Sequence, residues 1–162
     1  MFKDCTLIGI LLILFCQPLW AAHVGDYSEM TGVEVETGRP VKLERTLLEL
    51  KLSKGLIREV GTDLETGEVE TKEIWESRIR ILGRKTVKFV LASCRIIGGS
   101  KEIINTPMGD FGTCRLTVDD GISTIWVGQV PFGIVQVDTE FEFGRVQGQI
   151  TDFRFGDQEK SN

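Results

Sequence analysis

Along most of this chain, apolar and polar residues trade places at every second position, the period of a strand with one buried and one wet face. After a turn at Asp63-Leu64-Glu65-Thr66-Gly67, Val69, Thr71 and Glu73 face opposite to Glu68, Glu70 and Lys72. Val87, Phe89 and Leu91 oppose Lys88, Val90 and Ala92 in the same way and read as a strand. Gly98-Gly99-Ser100 separates Ile96-Ile97 from Ile103-Ile104, and Asp119-Asp120-Gly121 separates residues 116–118 from 122–127. Glycine at such places supplies the positive φ of a tight hairpin. Residues 141–143 and 150–155 close the pattern around Gly144. No stretch holds a helical stripe over ten residues; the nearest is 43–52, where Leu43, Leu47, Leu48 and Leu50 fall on one side. The pattern predicts an all-β chain of about nine or ten strands, with room for one short helix. Two-residue links make the pairing mostly antiparallel.

The first 22 residues break this pattern. Lys3 precedes the apolar run 7–15, followed by Gln17-Pro18 and then Ala21-Ala22. A basic start, a short apolar centre and small residues at the end form the layout of a secretory signal. A cut after Ala21 places Leu19 three residues upstream, a better fit than the bulky Trp20 that a cut after Ala22 would require. An uncleaved anchor is the competing reading, but a span needs about 20 apolar residues and Gln17-Pro18 interrupt the run early. A lipid-modified Cys16 is disfavoured by Phe15, where a small residue is expected. The expected organisation is therefore a signal over 1–22, one β domain over 23–156 and a frayed polar tail over 157–162. The expected location is the periplasm or the medium.

Export changes how composition is read. About 140 residues remain, the usual size of one domain. The net charge of the chain is −5, and Lys3 and Asp4 cancel within the signal. Such a domain carries no basic footprint for nucleic acid or an anionic membrane. Cys5 and Cys16 lie in the signal, which leaves Cys94 and Cys114. An oxidising compartment favours a disulfide between them, closing a loop of about 20 residues worth about 3 kcal/mol of chain entropy. Two buried thiols are the alternative, decided by the distance between their Cα atoms.

The candidate chemistry is sparse. His23 is the single histidine, so a multi-imidazole metal site, a Ser-His-Asp triad and a Cys-His pair all lack a member. Asp138, Glu140 and Glu142 alternate along one strand and share a face. That spacing suits the wet side of a strand better than a cation loop, because it spreads the carboxylates about 6–7 Å apart. Gly98-Gly99 lacks the spacing and following helix of a phosphate loop. No catalytic residue, metal or cofactor is expected. The aromatics Trp75, Phe89, Trp126 and Phe132 are the candidate ligand-binding residues, on the view that a bent sheet can leave part of its apolar face open.

From Ile103 onward, Thr106-Pro107-Met108-Gly109-Asp110-Phe111-Gly112-Thr113-Cys114 resembles a T-P-A-G-x-F-x-C segment found in a loose group of exported bacterial proteins of unknown function. Thr124-Ile125-Trp126-Val127 and Val130-Pro131-Phe132-Gly133-Ile134-Val135-Gln136 resemble that group's next two motifs, with Gln136 in place of a basic residue. Val24-Gly25-Asp26-Tyr27 and residues 150–156 look like its opening and its final strand. The layout is similar to that of the periplasmic lipoprotein carriers. The resemblance implies a fold, a strongly curved antiparallel half-barrel; the missing nucleophile and base and the aromatic-rich alternating strands add the expectation of a non-catalytic protein that binds an apolar ligand or lipid. An envelope protein as partner, with this chain as an accessory subunit, is the second expectation, and a carboxylate-dependent hydrolase the third.

Overall fold

The computed structural model describes residues 22–78, 80–118, 121–141 and 144–156. The expected signal, apart from Ala22, and the polar tail lie outside the described residues. So do Cys5, Cys16 and Glu142.

The strands are β1 (Tyr27–Glu34), β2 (Pro40–Leu50), β3 (Lys54–Asp63), β4 (Val69–Ser77), β5 (Ser100–Thr106), β6 (Gly109–Val118), β7 (Ser123–Val127), β8 (Ile134–Phe141) and β9 (Gly144–Arg154). They form one nine-stranded sheet in the order β4-β3-β2-β1-β9-β8-β7-β6-β5. Every neighbouring pair is antiparallel. Two meanders, β1 to β4 and β5 to β9, are joined where β1 pairs with β9. The chain therefore has to cross from one free edge, β4, to the other, β5.

That crossing carries the helix α1 (Arg84–Ser93), preceded by Gly83. Here the structure corrects the sequence reading, in which 87–92 was a strand. Val87 is fully buried and Phe89 is 61% exposed, so the two do not share a face. The inward stripe is Val87, Val90, Leu91 and Cys94, at spacings of three, four and seven. The Leu-rich stretch 43–52, the nearest approach to a helical stripe, is instead β2. Its pairing slips between Leu47 and Glu49, a bulge that keeps Leu47 and Leu50 on one side.

The sheet is curled and unclosed, the half-barrel form expected. In a flat sheet β5 and β9, four strands apart, would be separated by about 19 Å. Their Cα atoms instead come within 8 Å. The β5–β6 hairpin overhangs β7, which pairs with β6 only from Cys114 to Val118. The overhang folds so that the Phe111 and Phe153 rings meet edge-on, 6.0 Å between centroids.

One face of the sheet, which we call the covered face, holds the core. Leu47, Ile57 and Ile74 sit in one cross-strand row. Ile81, from the crossing segment, and Phe132 complete that cluster. Phe132 arrives from a tight turn, Pro131–Gly133, closed by the Gly133 N–H donating to the Val130 carbonyl at 3.0 Å, and holds φ at +59°, a left-handed conformation costly for a bulky side chain. A Cβ on the next residue, Gly133, would stand 2.9 Å from both Leu82 and Val87. The turn is thus fixed by the packing around it. A second cluster, Val130, Val135 and Ile150, is flanked by Ile104, Phe111 and Phe153.

The disulfide expected between Cys94 and Cys114 is present, with the Cα atoms 5.6 Å apart. It ties the end of α1 to β6, and both cysteines are fully buried. Gly99 has a different role from the hairpin glycine expected: a Cβ there would lie 2.6 and 2.9 Å from the two sulfur atoms.

Candidate functional site

Among the described residues the opposite face of the sheet carries no helix, and we call it the open face. Along one cross-strand row, Trp126 on β7 stands beside Gln136 on β8, then Gln149 on β9, then Thr31 on β1. The next row runs Thr124, Asp138, Gln147, Val33. Strict alternation puts these side chains together: their sequence neighbours Ile125, Val137, Gly148 and Gly32 take the other parity. Between the rows lies a groove of about 450 Å³, whose lining includes Trp126, Gln136, Gln149, Thr31, Asp138 and Gln147. That volume falls within the usual range for small-molecule sites, about 300–1,000 Å³.

The groove's charges are neutralised. Arg145 donates to both carboxylate oxygens of Asp138, at 2.6 and 2.8 Å, and Gln147 donates to it at 3.0 Å. The Arg145 hydrogen bond holds the Asp138 carboxyl below its ordinary pKa. Asp138 is therefore a structural anion and is poorly suited to act as a general acid. Glu140 is exposed on the same strand.

Trp126 is held from the side. Its indole N–H donates to Glu102 at 2.9 Å, Ser100 donates to the same carboxylate at 3.0 Å, and Arg115 lies 3.6 Å from it. The Trp126 hydrogen bond is the main reason the Glu102 carboxyl titrates below its usual range. The Arg115 guanidinium also sits over the indole, 5.6 Å from the ring centroid. By contrast, the amides of Gln136 and Gln149 carry no hydrogen bond to another described residue. Both are half-buried, with two donors and an acceptor each to offer.

On the other flank of the same face, the Tyr27 hydroxyl shares its one proton between Glu44, at 3.0 Å, and Glu29, at 3.3 Å. Burial, with these carboxylates, pushes its pKa up. Lys42 bridges the two glutamates, which raises its own pKa, chiefly through Glu44. These four side chains satisfy one another across β1 and β2.

The four aromatics singled out from the sequence do not converge. Phe132 is 5% exposed, packed in the core with Arg45 over its ring at 4.9 Å. Trp75 is on the edge strand β4, with Lys51 and Lys54 over its ring at 4.2 and 4.7 Å. Phe89 points outward from α1. Trp126 alone of the four lines the groove. Sequence reasoning passed over the glutamines, although their signal is visible: three neutral amides, Gln136, Gln147 and Gln149, stand where a wet strand face usually carries charge. No group of His, Cys, Asp and Glu able to hold a metal ion occurs among the described residues.

No family model matches this chain, and no curated protein matches it.

Proposed function

We propose that this chain is an exported, non-catalytic binding protein that takes its ligand in the open-face groove. The observation that carries this reading is the pairing, in one row, of a fixed indole with the amides of two half-buried glutamines that have no partner among the described residues. Unspent hydrogen-bonding capacity beside an immobilised aromatic ring is what a preorganised binding site provides. The engaged state of Asp138 and the single histidine support binding without catalysis. The disulfide is in keeping with an oxidising compartment. An apolar cargo in the curve of the sheet is favoured less, because Leu47, Ile57, Ile81 and Phe132 fill the covered face there.

The test is amide NMR on ¹⁵N-labelled protein titrated separately with oligosaccharides, short peptides and a C16 fatty acid. Saturable shifts at Gln136, Gln149 and the Trp126 indole support the reading. Shifts at Leu47, Ile57 and Phe132 with the fatty acid would replace it with the carrier reading.

One observation favours a second reading, an accessory subunit of an envelope assembly. Edge strand β5 exposes Ile103 at 77%, and in the segment leading to it Ile96 is 88% and Phe89 61% exposed. The other edge, β4, is guarded by Glu70, Lys72 and Glu73. Loss of a stable envelope complex on Ile103→Lys, with the groove intact, would favour this role.

A further inference from the structure

We infer that the groove's ligand is a neutral carbohydrate, with one sugar ring laid against Trp126 and its hydroxyls read by Gln136 and Gln149. This rests on the groove being the binding site and goes on to name what it takes.

The chemistry selects the class. A phosphate or carboxylate ligand needs an uncommitted cation, and the two arginines beside the groove, Arg145 and Arg115, are engaged by Asp138 and Glu102. A cationic ligand needs a free carboxylate, and Asp138 and Glu102 are both engaged. A wholly apolar ligand would bury the Gln136 and Gln149 amides without partners, at a cost of about 1–3 kcal/mol for each group left unsatisfied. Sugar hydroxyls both donate and accept. They match a primary amide, which presents an N–H₂ and a C=O side by side. The apolar C–H face of a pyranose suits an aromatic face. The Trp126 N–H is already given to Glu102 and Arg115 lies over the ring, so the part of the ring surface away from Arg115 is what remains to be offered.

The layout adds a length scale. Trp126, Gln136, Gln149 and Thr31 stand on four successive strands, so the row runs about 14 Å across the sheet. That suits a short oligosaccharide lying across the strands better than a single monosaccharide.

The test uses the purified protein carrying Trp75→Phe, so that Trp126 is the fluorophore of the described residues. It is titrated with cellohexaose, chitohexaose, maltohexaose and xylohexaose. The expected result is a saturable change in emission for at least one of them. Trp126→Ala, followed by amide NMR, should weaken binding by about tenfold or more, equivalent to about 1.4 kcal/mol. Gln149→Ala should weaken it several-fold, and Trp126→Phe should retain most of the affinity. Because Gln149 is half-buried on a wet face, its variant tests the idea without threatening the fold, which thermal unfolding would verify. Saturable shifts at the groove with a peptide or an acidic oligosaccharide, and none with the neutral sugars, would overturn the carbohydrate assignment while leaving the groove as the site. An absence of shifts at the groove with every probe would overturn both.

Discussion

The two faces of this sheet are made by the same nine strands, yet they solve opposite problems. On the covered face, volume decides: Leu47, Ile57, Val135 and Ile150 are at most 1% exposed and packed by the crossing segment and the Pro131–Gly133 turn. On the open face, pairing decides: Arg58 with Glu73, Arg145 with Asp138, and Tyr27 and Lys42 with Glu29 and Glu44. The difference lies in where free energy is concentrated. Buried side chains cannot be shortened without leaving a hole, whereas exposed ion pairs exchange one set of partners for water. A face whose side chains add little to stability is free to keep groups such as Gln136 and Gln149, which have no partner among the described residues, for a ligand.

The comparison is broken most directly by shortening one residue from each face. Ile150→Ala should cost about 3 kcal/mol or more, because the site is walled by Val130, Val135 and Phe153 and has little room to collapse. Arg58→Ala, which removes an exposed pair to Glu73, should cost less than about 1 kcal/mol. Urea unfolding of both variants measures the difference. Equal losses would mean that the open face carries more of the fold than its geometry implies.

Much of this was readable from the chain. Alternation marked β4 and β8 as strands, and Gly67, Gly121 and Gly144 mark turns with positive φ where turns were expected. The misreading at 87–92 has a definite cause. Val, Phe and Leu at every second position mimic a strand, and only the longer window reaching Cys94 shows the helical stripe. Phe132 was unreadable for a different reason. Its burial against Leu47 and Ile57 depends on a turn that crosses from β7 to lie over β2 and β3, a long-range packing event with no local signature. The groove was half legible. Parity places the glutamines on one face, but the cross-strand register that lines them up with Trp126 is set by the bulge near Val135, where Trp126 pairs with Gln136 and Val127 with Ile134.

The disulfide sharpens the comparison, because it acts on the covered face without filling it. Replacing Cys94 and Cys114 together with Ala should lower stability by about 3 kcal/mol, from the loop entropy of their 20-residue separation. The space Gly99 leaves beside both sulfurs makes a second variant informative. Gly99→Ala should destabilise the oxidised protein through a clash with the sulfurs and with the Arg115 carbonyl. On the double-alanine background the sulfur part of that clash disappears, so the two changes should be markedly less than additive. Calorimetric melting of the four proteins measures the coupling, and strict additivity would show that Gly99 does not hold its place for the bridge.

The smallest effect expected is on the open face, and it is one of pH. Arg145 holds Asp138 ionised below the ordinary carboxylate pKa, so the folded state binds its proton less readily than the unfolded chain does. The stability linked to this pair is therefore fully present above about pH 5, where the unfolded carboxyl is ionised, and is lost as pH falls through about 4 and then through the lower folded value. Asp138→Asn should be slightly less stable than the parent at pH 7. It should also show a shallower fall in melting temperature between pH 5 and pH 3, because one carboxyl no longer contributes to the slope. Arg145→Met should flatten the same window by removing the cause of the shift while leaving Asp138 in place. Unchanged slopes in both variants would mean that the pair exchanges freely with water and that Asp138 is open to a cationic ligand.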